Sequence, residues 1–346
     1  MAKRAFLWLL VSSLWWGNAW AGNPSPEEVL AAAKAGNAEA QFAIAVLFEK
    51  GAGMAQDMKE AVRWYRKAAD QGLAKAQRAL GSCYSSGQGV AQDEREAATW
   101  YRKAVDQEDA EAQHLLAWCF DHGEGVVQDP TEATKLYKRA ADQGFAPAQY
   151  FLALRYQFGG DGVAQDAKEA AKWCRKAADQ GDARAQCTLG TFFLEGTGVT
   201  KDLAEAARWY RKAAEQGDSE AQRSLGACYE KGEGVPRDEG EAEKWYRAVA
   251  EKGDAEDQFK LGSFHLGGWG HLVKGSSARD PKKGVEWCRK AADQGHDEAQ
   301  YNLGLCYVNG DGVAKDVAEA EKWFRKAAAQ GDELAKAALQ RLGQSP

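Results

Sequence analysis

A pattern that returns every 36 residues constrains this chain more than any other feature. The glutamines Gln41, Gln77, Gln113, Gln149, Gln186, Gln222, Gln258 and Gln300 mark eight copies, spaced by 36, 36, 36, 37, 36, 36 and 42 residues. A unit this short cannot bury its own apolar face, so tandem copies at this period must stack into a repeat array with a long, thin core.

Each copy carries two helical patterns. Counting from the Gln, Ala stands at −1, Leu or Ile at +3, Gly or Ala at +4 and mostly Tyr or Phe at +7, so one face of a first helix is apolar. The small residue at +4 lets a neighbouring helix approach closely. A Gly-x-Gly turn ends this helix, as at Gly51 and Gly53 or Gly232 and Gly234, where glycine tolerates left-handed backbone angles. The second helix opens with Asp-x-x-Glu in seven copies, from Asp57 and Glu60 to Asp316 and Glu319. That is a capping-box spacing, with Asp accepting from a free backbone N–H and Glu reaching back. Trp64, Trp100, Leu136, Trp173, Trp209, Trp245, Trp287 and Trp323 then share one register, followed by basic residues that suit the helix C-terminus.

From about Asn37 to Gly331 the chain resembles the Sel-one-like repeat family, a branch of the tetratricopeptide-like α/α solenoids. The resemblance lies in the pattern Ala-x-x-Leu-Gly-x-x-Tyr-x-x-Gly-x-Gly-Val-x-x-Asp-x-x-Glu-Ala-x-x-Trp-Tyr-x-x-Ala-Ala-x-x-Gly. It implies an all-α fold, a right-handed superhelix of eight helix-turn-helix repeats, used as a protein-binding scaffold.

The expected organisation is a signal peptide over residues 1–21, an N-terminal capping helix over 22–36, eight repeats over 37–331, and a C-terminal capping helix and tail over 332–346. Lys3 and Arg4 precede an apolar run from Ala5 to Trp16 and the small-x-small triplet Ala19-Trp20-Ala21, so cleavage is expected after Ala21. The alternative, an uncleaved anchor, requires about 20 apolar residues, more than the run supplies. The mature chain is then periplasmic or secreted, with no integral membrane association. Ser25-Pro26-Glu27-Glu28 repeats the capping-box logic before Val29, and Glu333 to Leu342 reads as a lone first-type helix closing the array. The net charge of −6, or −8 without Lys3 and Arg4, argues against a nucleic-acid partner.

Three departures interrupt the repeat. The fourth copy gains one residue within Phe158 to Val163, and the second has Glu108 where a helix-ending Gly is expected. The seventh gains six residues between Gly267 and Asp280, including Trp269 and His271. Such a loop is a place where function can be grafted, although loops also lengthen cheaply. Of seven cysteines, Cys83, Cys119, Cys228 and Cys306 share the apolar offset +6 and read as buried small hydrophobes. Cys174 and Cys187 flank the turn at Gly181 on antiparallel helices, close enough for a candidate disulfide in an oxidising compartment. A cysteine-rich exported subgroup of the family is similar, but it links helices in nearly every repeat, a scheme this chain lacks.

No chemistry-bearing constellation emerges. The five histidines form no metal-binding motif, and the glycines follow helices rather than strands, so neither metal nor nucleotide cofactor is expected. Some family members are described as penicillin-binding or β-lactam-hydrolysing, yet Ser-x-x-Lys and Lys-Thr-Gly are absent here. What remains is the face of the first helix opposite +3, the concave wall in tetratricopeptide-like stacks, which gathers offsets +1, +5 and +8. There Arg78, His114, Trp118, Tyr150, Leu154 and Arg223 form an apolar patch with flanking cations, suited to a protein or extended peptide. Packing of the same residues against the adjacent repeat would produce the same sequence pattern. An alternative function, binding or hydrolysis of a cell-wall or β-lactam-like ligand, would use the seventh-copy loop.

Overall fold

The computed structural model describes residues 25–160, 162–267 and 279–343. These hold eighteen α-helices. The first nine are α1 (Pro26–Lys34), α2 (Ala38–Lys50), α3 (Met58–Asp70), α4 (Ala74–Ser86), α5 (Glu94–Val105), α6 (Ala110–His122), α7 (Pro130–Asp142), α8 (Ala146–Phe158) and α9 (Ala167–Asp179). The others are α10 (Ala183–Glu195), α11 (Leu203–Glu215), α12 (Ser219–Lys231), α13 (Glu239–Ala250), α14 (Ala255–Leu266), α15 (Pro281–Asp293), α16 (Asp297–Asn309), α17 (Val317–Ala329) and α18 (Glu333–Gly343). The all-α expectation holds; the only extended pairing among the described residues is an isolated bridge between Gly160 and Val163. Two compact units, residues 1–177 and 178–346, divide the chain within α9.

The second helices start as the sequence indicates, with one difference. Asp57 accepts from the Lys59 and Glu60 N–H groups at 2.9 and 3.1 Å, and Asp202 caps α11 in the same way. The reciprocal box is complete at α1, where Ser25 N–H donates to Glu28 at 2.7 Å and Glu28 N–H to the Ser25 hydroxyl at 3.2 Å. In the repeats the Glu instead turns to a cation one turn later: Glu132 to Lys135, Glu205 to Arg208 and Glu319 to Lys322. A full charge three residues away attracts the carboxylate more than a single neutral N–H does.

In several hairpins the small residue at +4 receives an aromatic ring, whereas in the seventh copy Gly262 meets the Cys288 thiol. A Cβ at Gly81, Gly190 or Gly226 would stand 2.6, 2.8 or 2.6 Å from Tyr101, Tyr210 or Tyr246. Close approach of first and second helix is what leaves these tyrosines almost wholly buried.

Two devices join each repeat to the one before it. The second glycine of the turn lies against the start of the preceding second helix, so a Cβ at Gly89, Gly125, Gly234 or Gly312 would collide with the carbonyl of Met58, Glu94, Leu203 or Pro281. The marker glutamines are the other device. Gln77 donates to the Ala69 carbonyl at 3.2 Å, at the end of the preceding second helix, and accepts from Gln107 at 2.8 Å, at the end of its own. Gln41 repeats this with Ala33 and Gln71, Gln186 with Ala178 and Gln216, and Gln300 with Ala292 and Gln330. The amide is buried yet bonded at both ends, which is the condition for a polar group in a core.

Glu108 has a physical account in the same network. It is the one non-glycine residue with positive φ, +60°, among those described. Its carboxylate accepts from Gln113 at 2.8 Å and Arg139 at 2.8 Å, and those two bonds hold its carboxyl below the usual carboxylate range. The lengthened seventh copy keeps its frame, because Asp280 N–H donates to the His265 carbonyl at 3.1 Å as Asp238 N–H does to Tyr229 at 3.0 Å. At the end of the second unit, α18 buries Ala335 and packs Ala338, Leu339 and Leu342 beside Phe324, Tyr301 and Leu305. It is the closing helix that the sequence suggested.

Candidate functional site

The first-helix face of the first unit changes character along its length. Between α2 and α4 it opens into a cleft of about 240 Å³, bordered by Phe42, Val46, Lys75, Arg78 and Ser82. Ion pairs engage two of the cations of this cleft. Lys75 meets Glu39 at 2.5 Å, and Arg78 meets Asp109 at 3.1 Å and Glu111 at 2.6 Å. Arg78 therefore ties the second copy to the third.

Next along the same face, α6 and α8 bring aromatic rings together. His114 lies 5.4 Å from the Tyr137 ring, 5.5 Å from Phe145 and 5.3 Å from Phe151. It is thus a packing residue between the third and fourth copies. Trp118 stands edge-on to Phe151 at 5.9 Å and stacks on His122 at 3.9 Å, with an interplanar angle of 21°. The His122 ring is fixed by its Nδ1, 3.0 Å from the Trp118 carbonyl. Trp118 remains 38% exposed, while Tyr150 and Leu154 on α8 are half-buried and Tyr150 lies 5.9 Å from Phe151. One turn beyond Leu154, Phe158 is 73% exposed. An ion pair between Asp121 and Arg155 links α6 to α8 beneath this surface, with both side chains largely buried.

His114 and Trp118 lie on α6 and Tyr150 and Leu154 on α8, and these four side chains do different work. Offset +1 is a packing position: Phe42 is 4% exposed and lies 5.5 Å from Tyr65. Offset +5 is the exposed one at Trp118. The sequence reading missed Phe151, at +2, and His122 and Phe158, at +9. Helical geometry could have found the last two, since +9 lies about 40° from +5 and +8 about 60° away on the other side.

In the second unit, Arg223 donates to both carboxylate oxygens of buried Asp257, at 2.9 and 2.8 Å, and so joins the sixth copy to the seventh. Its role parallels that of Arg78. Trp269 and His271 lie outside the described residues. Cys174 and Cys187 are both buried. Cys174 stands in the register of Tyr101, which points into its own hairpin, whereas Cys187 faces Asp218, the cap of α12, and Glu220 of the following copy, and its thiol is pushed up by burial and by those carboxylates. Among the described residues, no group of three or more His, Cys, Asp or Glu side chains could hold a metal ion, and no helix is long and apolar enough to cross a membrane.

The model of the Sel1 repeat matches eight consecutive segments: residues 38–73, 74–109, 110–145, 146–182, 183–218, 219–254, 255–296 and 297–332. Among solved structures, the chain is similar to a protective antigen present in uropathogenic Escherichia coli strains that displays an SLR fold. The two are 36% identical with a TM-score of 0.79, over 91% of this chain and 66% of the antigen's length. It is also similar to a Sel1 repeat protein from Oxalobacter formigenes, at 30% identity and TM-score 0.61, over 98% of this chain and 93% of that one. No curated protein matches it in sequence.

Proposed function

The chain belongs to the Sel1 repeat family, whose members are generally scaffolds for protein–protein interaction, and we propose from this premise that it is a non-catalytic exported adaptor. It binds a protein or extended peptide on the first-helix face, the concave face of such arrays, at Trp118, Tyr150 and Leu154. The observation that carries this reading is an exposed tryptophan on a face where the equivalent side chains are mostly small, in contact with a fixed aromatic cluster behind it. Rigid aromatic side chains that need no reordering are what binding hot spots use. Export rests on residues 1–21, with Lys3 and Arg4, the apolar run from Ala5 to Trp16 and the Ala19-Trp20-Ala21 triplet.

The test is capture from periplasmic extract by the mature chain, run beside Trp118→Ala, with the melting curve of both. A partner held by the wild type and lost by the variant, at little change in melting temperature, supports the reading. Equal capture by both, or a large fall in melting temperature with unchanged capture, overturns it.

A further inference from the structure

We propose that His296 is a pH-operated helix cap: on taking up a proton its ring releases the first turn of α16 and is held instead by Glu256 of the seventh copy. Elsewhere in the array a first helix is commonly capped by a carboxylate, as Asp109 caps α6, Asp182 α10 and Asp218 α12, each accepting from the backbone N–H three residues on. At α16 that place belongs to His296, with the same extended backbone, φ −62° and ψ 115° against −63° and 119° at Asp218. Its Nδ1 accepts from Ala299 N–H at 3.3 Å. A ring nitrogen can accept only while it carries no proton, so this bond puts the single proton of the neutral ring on Nε2. Nε2 lies 2.9 Å from a carboxylate oxygen of Glu256, at the start of α14. The neutral ring is thus satisfied at both ends, capping α16 and donating to α14.

Protonation acts oppositely at the two ends. The imidazolium carries N–H on both nitrogens, so Ala299 N–H loses its acceptor and meets a donor, while a positive charge arrives at the positive end of a helix. At the other end Glu256 now faces a cation, as does Asp297 in the first turn of α16, 3.9 Å from Nδ1. Glu298 is the third carboxylate near the ring; burial holds its carboxyl above the usual range against the pull of His296. From the α18 side Asp332 acts on Glu298, and from the end of α15 the uncharged Gln294 bonds to Gly253 and Gln258. On α14 the ring also lies 4.6 Å from Phe259, an uncharged face. Among the described residues, Glu256 and Asp297 are the groups that ion-pair with it. Glu256 is 69% exposed and its pair is screened by water, whereas the imidazole that makes the cap bond is 11% exposed. The loss at α16 therefore outweighs the gain at α14, and the joint between the seventh and eighth copies loosens at its helix start.

The test uses the full mature protein beside His296→Asp, which installs the carboxylate cap of the other copies and so keeps the fold. With isotope-labelled histidine, the ring-nitrogen signals absent from the variant should show a bare Nδ1 and a protonated Nε2 at about pH 7.5. Hydrogen exchange resolved to single residues, and corrected for the intrinsic effect of pH, is then compared at about pH 7.5 and about pH 5, the range over which an imidazole changes charge. The Ala299 N–H of the wild type should lose about tenfold or more of its protection at the lower pH. In His296→Asp it should keep that protection, because an aspartate cap stays ionised to about pH 4. Glu298 is present in both proteins, so its own titration cancels. Glu256→Gln, which removes the charge that holds the protonated ring, should move the loss to lower pH. The proposal is overturned if Nδ1 carries the proton in the neutral ring, if Ala299 is equally protected at both pH values, or if His296→Asp loses protection as the wild type does. An unchanged pH of the loss in Glu256→Gln also overturns it, since the protonated ring is then not held by the seventh copy.

Discussion

The marker glutamine shows how one residue joins three helices. Replacing Gln77 by Leu would keep the volume and apolar contact but remove one of the bonds accepted by the Ala69 carbonyl, which keeps its bond from Gly72 N–H, and leave the Gln107 amide only its longer contact with the Lys103 carbonyl. We expect a loss of about 1–3 kcal/mol, measured by urea denaturation, with unchanged helical content; a neutral result would show that the amide is dispensable. The thiols at +6 make a second residue-scale case. Burial first, with nearby carboxylates second, raises Cys83 and Cys228 to about 11 and Cys119 and Cys306 to about 12. A thiol raised in the folded state stabilises the fold fully below its unfolded pKa, near 9, and that contribution is lost as pH rises towards 11 or 12. The melting temperature should therefore fall with pH from about 9 upward, and iodoacetamide at pH 8 should label these four only after denaturation. Labelling of the native protein at the unfolded rate would contradict their burial. How much of this was legible in the sequence depends on what each residue answers to. The caps and glycines were readable because they serve backbone groups a few residues away. The ring of His114 was not, since its neighbours Tyr137, Phe145 and Phe151 come from other elements.

Among elements, the Gly-x-Gly turn carries two requirements that a sequence pattern merges. Gly123 ends α6 in a left-handed conformation, a local demand, while Gly125 is also pressed against the Glu94 carbonyl of the previous copy. Gly125→Ala should therefore cost more than Gly123→Ala, because backbone that meets a Cβ cannot swing aside as a side chain can. Thermal melts of the two variants decide this, and equal losses would mean that the loop moves freely from its neighbour. The first-helix face illustrates the opposite limit. Helical period alone placed +1, +5 and +8 together, but which of them stays exposed depends on how the next first helix leans across them. At +1 that lean buries Phe42, and at +5 it leaves the Trp118 edge open.

At the scale of the whole molecule, the strongest packing among the described helices within each unit is between helices adjacent in sequence. Stability in such an array is a sum over neighbours rather than a property of one core. A perturbation should then spread only as far as the interfaces that share the altered helix. Gly125→Ala offers the cleanest case, because it disturbs the joint between the second and third copies, far in sequence from the second unit. Hydrogen exchange followed by mass spectrometry should show faster exchange in α5 to α8 and wild-type protection in α12 to α17. The glutamine network sets this range, since Gln77 and Gln113 each bond only to the preceding copy, or the residue that joins it, and to the end of their own. A uniform loss of protection in both units would show the chain unfolding as a single cooperative body. The neighbour-by-neighbour account would then fail, and with it the expectation that Trp118→Ala can be judged without regard to the second unit.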